Sequence, residues 1–376
     1  MIKETNIINT TNNNIPKLDF SLEDCVLFDI ETTGLSSSKH MIYLIGYGYY
    51  SDGIWHNTSL MATNLDDESQ IIAEFLELLK SKKYLIHFNG STFDIPFIKS
   101  RANFHKLKHL TSYLSELESI DLYKLAKKHS KFLNLENYKL KTIEKSIGIN
   151  RKDIYSGKEL IEKYYDFVKV YSLDSVTQNF SNSNKLKEVL NLHNYEDIAN
   201  MIPLLNLFTY DFLLNGNFNI DSYSINDNYL NIDCLLLTKN APYTLLKDIH
   251  LTHIDNTYHI DLNITQDRLS LTIPITKTEL KFFYPDYKNY YYLPLEDNAI
   301  HKSVGMYVNK EHREQAKAST CYTKKQGCFI PTHANISTIP IFKNNFNESS
   351  IYIELNDIFL TNHIKEYVLC ILNHII

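Results

Sequence analysis

Five residues in the first two hundred positions have types and spacings suited to hydrolytic chemistry on a charged substrate. In VLFDIETTGL, Asp29 and Glu31 stand two apart in an apolar run of strand length, so their side chains leave one face and can converge on one ion. In HFNGSTFDIPFI, Asp94 lies between an apolar run and Ile95-Pro96, the start of a helical pattern. In LHNYEDIANMIPLL, His193 and Asp197 are four apart and share a helix face. Each motif alone has a plainer reading. An acid pair can sit at the solvated end of a strand, Asp is a preferred N-cap, and a surface His and Asp are ordinarily solvated. Four carboxylates gathered from three elements would repel one another without counter-charge, which points to a hard divalent cation, Mg²⁺ or Mn²⁺.

The elements that must position these groups are legible in the hydrophobic period. Residues 1–20 are rich in Asn and Thr, lack periodicity and are expected to be a loose tail. Cys25–Ile30, Met41–Tyr50 and Ile54–Thr58 read as three strands, with Ser51-Asp52-Gly53 as turn chemistry between the last two. Ile71, Ile72, Phe75, Leu76, Leu78 and Leu79 then recur at helical spacing, Tyr84–Phe88 reads as a buried strand and Ile95–Phe104 as a helix. A short strand near Ser119–Leu122 follows, and then helices ending with one over Asn194–Leu214. The order is βββαβαβα, a mixed-sheet α/β domain over 21–215.

In that order, a strand with DxE, N-x-x-x-F-D at a strand end and H-x-x-x-D opening a helix resemble the DEDD exonuclease superfamily, and most of all its YprB-type ribonuclease H-like branch, whose last motif also reads HN followed by an acid. The resemblance covers roughly Cys25 to Leu214 and includes NYKLKTIEKSIGINRKDIYSGKELIEKY. It implies a ribonuclease H-like fold and a two-metal 3′–5′ exonuclease acting on a single-stranded 3′ end of DNA or RNA. Asp29 would bridge the ions, Glu31 and Asp197 would complete one site, and Asp94 would reach the second through water. Superfamily members carry a Tyr four residues before the last Asp or a His five before it; here His193 takes the four-residue position as general base, with Tyr195 and His87 in reserve. Thr32, Leu35, Asn89 and Phe93 flank the acids where relatives touch the terminal nucleotide. Their alternatives are turn chemistry for Thr32 and Asn89 and core packing for Leu35 and Phe93. The competing functions are a catalytically quiet ribonuclease H-like module that binds nucleic acid or protein, and a structure-specific endonuclease.

Composition narrows the class without naming it. A chain of 376 residues suggests about two domains, and its net charge of −6 argues against nonspecific coating of nucleic acid. The average hides thirteen Lys and Arg against five Asp and Glu between Lys99 and Lys152, a run best read as solvated helix faces. Five scattered cysteines imply no disulfide framework, and a reducing, cytoplasmic setting is expected. No apolar run approaches membrane-spanning length. Past Asn215-Gly216, Ile260, Leu262, Ile264 and Leu269, Leu271, Ile273, Ile275 alternate with polar residues, so 216–376 is expected to be β-rich, with Gln266-Asp267 as a hairpin turn and a closing helix over Thr361–Ile376. The aromatic residues between Phe282 and Tyr292, followed downstream by Lys302, Lys310 and Arg313, could hold a single strand, but strand and core packing explains them better. Cys321, Cys328 and His333 lack the tight pair and fourth ligand of a zinc site.

Overall fold

The structure, a computed structural model, describes residues 1–9, 15, 18–237, 249–254, 259–264, 268–336 and 338–375. The chain divides into two compact units, the first holding Met1–Thr209 and the second Tyr210–Lys239 and Leu246–Ile376.

In the first unit a six-stranded mixed sheet is built from β1 (Ile2–Ile8), β2 (Cys25–Thr32), β3 (Ile42–Ser51), β4 (Ile54–Met61), β5 (Tyr84–His87) and β6 (Glu118–Asp121), in the order β1-β4-β3-β2-β5-β6. Neighbours are antiparallel from β1 to β2, while β2–β5 and β5–β6 are parallel. Asp52 and Gly53, both at positive φ (53° and 83°), close the β3–β4 hairpin in the tight two-residue turn that suits the twist of the strands. The helices are α1 (Glu68–Leu78), α2 (Asp94–Phe104), α3 (Thr111–Glu116), α4 (Leu122–Lys128), α5 (Ser130–Leu133), α6 (Leu140–Ser146), α7 (Gly157–Thr177) and α8 (Ser181–Leu204). Val26, Phe28 and Ile30 of β2 pack with Ile71, Ile72, Phe75 and Leu76 of α1 in the main core. That core is pinned by Glu68, only 1% exposed, whose carboxylate accepts from the Ile42 amide at 2.8 Å, Arg101 Nε at 2.8 Å and His105 Nε2 at 2.7 Å.

Two expectations change. Residues 1–20 are not wholly a loose tail, because Ile2–Ile8 pairs along β4 as an edge strand, from Ile2 opposite Met61 to Ile8 opposite Trp55. Its one buried residue is Ile8, so the strand lacks the alternation that would reveal it in sequence. The last long helix of this unit begins at Ser181, not near Asn194, and ends at Leu204 just after Pro203. His193 and Asp197 therefore lie in its middle rather than opening it.

α8 packs across β2, β3 and β4. It can approach closely because β3 carries glycine at two positions beneath it. A Cβ on Gly46 would lie 1.6 Å from Asn194 Oδ1, and one on Gly48 would lie 2.8 Å from Ile198 Cγ2. Asn194, Ile198 and Met201 form the buried stripe of the helix, and His193 and Asp197 form the row beside it.

The second unit is β-rich, as expected. After α9 (Phe208–Leu214), strands β7 (Phe218–Ile225), β8 (Tyr229–Leu236), β9 (Ile249–Ile254), β10 (His259–Ile264) and β11 (Arg268–Pro274) form an antiparallel sheet in the order β7-β8-β11-β10-β9. The alternating Ile260, Leu262, Ile264, Leu269, Leu271 and Ile273 are all buried. The Gln266-Asp267 turn lies outside the described residues. A second sheet contains β12 (Thr276–Phe283) and a third contains β13 (Tyr290–Leu293). Phe282 packs edge-on to Tyr284, which stacks on Tyr290 at 4.5 Å, so these aromatics contact one another as packing residues. A short helix, α10 (Lys302–Gly305), interrupts the strands, and the last elements are α11 (Asp357–Asn362) and α12 (Ile364–Ile375). Among the described residues no helix is long and apolar enough to cross a membrane.

Candidate functional site

The parallel pairing of β2 with β5 stops at Leu27 opposite Ile86, so among the described residues no strand pairs with the last residues of β2 on that side. Asp29 and Glu31 occupy this free end, with a register shift between Glu31 and Thr32. In parallel sheets the crevice beyond the carboxyl ends of strands is the usual place for a ligand. Asp94 reaches the same crevice from the start of α2. The N-cap there is Phe93, so Asp94 is the first helical residue and capping does not account for it. Its side chain is buried, with Oδ2 3.0 Å from where a Cβ on Gly90 would stand.

α8 supplies the remaining groups. Asn194 Nδ2 donates to Asp29 Oδ2 at 3.1 Å. His193 Nε2 lies 3.4 Å from Glu31 Oε1 and 3.2 Å from Asp197 Oδ2, and its Nδ1 lies 2.6 Å from Asp153 Oδ2. Arg151 Nη2 donates to Asp197 Oδ1 at 2.5 Å, while its Nε and Nη2 grip Glu144 at 2.6 Å each. Glu196 accepts from the amides of Lys152 and Asp153 at 2.8 and 3.0 Å and so ties that loop to α8.

The electrostatics show that the acids share one field. Burial, then Asp197, Asp94 and Glu31, hold the Asp29 carboxyl well above the ordinary carboxylate range. Burial pushes Glu31 up to about 7; His193 opposes the shift, and Asp197 and Asp94 add to it. Burial likewise pushes Asp94 up to about 7, partly offset by hydrogen bonds from main-chain amides. Acids that raise one another's proton affinity are short of positive charge, and divalent ions supply it. Glu31, His193 and Asp197 offer three ligand atoms within 4.8 Å of one another. Oxygen donors with one imidazole fit Mg²⁺ or Mn²⁺.

The other sequence candidates sort cleanly. Leu35 is 87% exposed, which removes its core-packing alternative. Phe93 packs against the core and lies 5.3 Å from Phe97, ring to ring. Thr32 Oγ1 donates to the Gly34 carbonyl at 2.9 Å. Asn89, at φ 61°, donates its amide to Asp121 Oδ1 at 2.9 Å. His87 is not placed as a base: Nδ1 accepts from the Gly90 amide at 3.0 Å, Nε2 bonds Ser119 at 2.7 Å, and burial lowers its pKa to about 4. Tyr195, two residues on from His193, bonds the main chain of Asn9 instead.

A family model described as RNase_H superfamily matches residues 26–209. The first unit has a ribonuclease H-like fold. Solved structures similar to this chain include three that are 13–14% identical to it. "Exonuclease I (apo)" is 13% identical with a TM-score of 0.28, covering 34% of this chain and 37% of that one. "SSB/Exonuclease I in complex with inhibitor CFAM" is 14% identical with a TM-score of 0.28 and the same coverage. The family B DNA polymerase of Pyrobaculum calidifontis is 13% identical with a TM-score of 0.39, covering 70% of this chain and 35% of that one. The chain thus spans little more than a third of the length of these proteins. No curated protein matches it.

Asp29, Glu31, Asp94, His193 and Asp197 were legible from the ribonuclease H-like motif order. Asn194, Asp153, Arg151, Glu144 and Asp121 were not singled out. Asn194 had a signal, since it is the second letter of the HN pair. Arg151 and Asp153 had one only in retrospect, as an R-x-D inside a lysine-rich stretch.

Proposed function

We propose that the first unit is a metal-dependent nuclease of the YprB type, hydrolysing phosphodiester bonds from a single-stranded 3′ end of DNA or RNA. The observation that carries this reading is the convergence of Asp29, Glu31, Asp94 and Asp197, three of which show carboxyls raised by burial and by their acidic neighbours. Asp29, Glu31, Asp94 and Asp197 would hold two divalent ions, Mg²⁺ or Mn²⁺. Such ions offset the charge of the carboxylates and the phosphate, activate a water and stabilise the leaving oxygen.

The chain's own groups set orientation around that centre. Asn194 fixes one oxygen of Asp29, leaving Oδ1 free of that bond. Arg151 does the same for Asp197, leaving Oδ2 toward His193. Leu35 presents an exposed apolar side chain three residues after Thr32, suited to contact the face of a terminal base. Thr32, Asn89 and Phe93, which flank the acids in sequence, would touch the sugar and base of the terminal nucleotide, Asn89 through its side-chain amide.

The test is a comparison of 3′-labelled, 5′-labelled and circular single strands, as DNA and as RNA, with Mn²⁺. Release of labelled mononucleotide from the 3′ end at once, a shortening ladder from the 5′-labelled strand and an intact circle are expected. Cleavage of the circle would replace the exonuclease by an endonuclease, and binding without any cleavage would support a quiet module.

A further inference from the structure

His193 is aimed differently from a group waiting for a water. Its Nε2 faces two protein oxygens, Glu31 Oε1 at 3.4 Å and Asp197 Oδ2 at 3.2 Å. Neighbouring ligands of an octahedral ion with bonds of about 2.1–2.2 Å lie about 3.0–3.1 Å apart, close to these separations. The other ring nitrogen is committed. Nδ1 lies 2.6 Å from Asp153 Oδ2, and that carboxylate is 1% exposed, with its other oxygen accepting the Tyr155 amide at 3.1 Å and Lys141 Nζ 3.4 Å from Oδ2. A carboxylate that accepts a hydrogen bond from Nδ1–H fixes the tautomer with the lone pair on Nε2, the arrangement by which proteins orient an imidazole onto a metal. Arg151, gripping Glu144, occupies Asp197 Oδ1, so the oxygen left for an ion is the one beside His193.

We infer that His193 Nε2 is a direct ligand of the ion held by Glu31 and Asp197, with Asp153 as the positioning residue that presents it. This rests on the nuclease reading of the same site and gives His193 a ligand's role in place of the general-base role read from the sequence. The consequence is a preference for Mn²⁺ over Mg²⁺, because imidazole suits the softer ion and Mg²⁺ favours oxygen and water.

Pulsed electron paramagnetic resonance of the full chain loaded with Mn²⁺ tests it, with Mn²⁺ uptake measured on the same samples. Wild type should show the ¹⁴N modulation of a coordinated imidazole. Growth on ¹⁵N-histidine should convert it to the ¹⁵N pattern without changing any residue, and His193→Gln should abolish it. Asp153→Asn should weaken Mn²⁺ binding by about 10–100-fold and alter the nitrogen coupling. Bound Mn²⁺ without imidazole coupling in wild type, or coupling that survives His193→Gln, would overturn the ligand assignment and leave the nuclease reading standing. Failure of wild type to bind Mn²⁺ at all would overturn both.

Discussion

The side chain of Asn194 occupies the space that a Cβ on Gly46 would fill, with Oδ1 1.6 Å from that position. Gly46 is also the residue paired with Asp29 across β2 and β3, and the same asparagine donates to Asp29 Oδ2 at 3.1 Å. A glycine on one strand thus lets a helix reach a carboxylate on the next.

Gly46→Ala should therefore displace Asn194 and release Asp29. Overpacking of this kind costs about 1–3 kcal/mol, within what the fold can absorb, whereas a displacement near 1 Å at the reacting groups can cost about 100-fold in rate. Thermal unfolding and metal-dependent cleavage, measured together, should show a folded protein with cleavage reduced to that extent. Unchanged cleavage would mean that Asn194 does not orient Asp29.

The raised carboxyls make a stability statement with a definite sign. Glu31 titrates near 7 in the folded protein against an ordinary value of 4.5, so the metal-free folded state holds this proton more tightly than the unfolded chain. Its contribution to stability is fully present below pH 4.5 and is lost as pH rises to about 7. Glu31→Gln removes that loss, and metal-free protein at pH 8 should gain on the order of 2–3 kcal/mol. Urea denaturation with chelator at pH 5 and pH 8 checks this, the gain being expected at pH 8 and largely absent at pH 5.

The same protons oppose metal. Glu31 and Asp94, both near 7, must ionise to act as ligands, so Mn²⁺ binding should tighten from pH 6 to pH 8 and release protons below pH 7. Titration calorimetry in buffers of different ionisation enthalpy counts those protons. A pH-independent affinity with no proton release would contradict the assignment of these two carboxylates as ligands.

Arg151 should matter for folding as well as for the site. Its side chain is 7% exposed and that of Glu144 only 1%, so Arg151→Ala leaves a buried carboxylate without its cation. Breaking such a pair costs about 3–5 kcal/mol, and Arg151→Lys cannot restore the two-pronged grip. Denaturation midpoints of both variants, with Glu144→Gln combined with Arg151→Met as the reference that removes both charges, measure the effect.

Sequence reading recovered the order of strands and helices in the first unit because apolar period and turn residues mark them directly. Cys25–Thr32, Ile42–Ser51 and Tyr84–His87 fall within a few residues of their expected bounds. Ile2–Ile8 escaped because an edge strand buries too little to show a pattern. The four clustered acids were readable because each stands in a short motif. Arg151, Asp153 and Glu144 were not, since their significance lies in contacts across 7 to 46 residues of chain. The lysine-rich stretch illustrates the limit: Lys124, Lys127 and Lys128 are exposed as the solvated-face reading held, while Arg101 is buried and the Arg151 side chain is 7% exposed, both in ion pairs.

The most direct measurement is a Mn²⁺ titration of the full chain by calorimetry, run in parallel on wild type and Asp29→Ala and followed by a cleavage assay on a 3′-labelled single strand. Two ions bound per wild-type chain are expected, with at least one lost in Asp29→Ala together with all cleavage. A wild type that takes up no Mn²⁺, or an Asp29→Ala variant that binds and cleaves like wild type, would contradict a shared metal centre at these four acids.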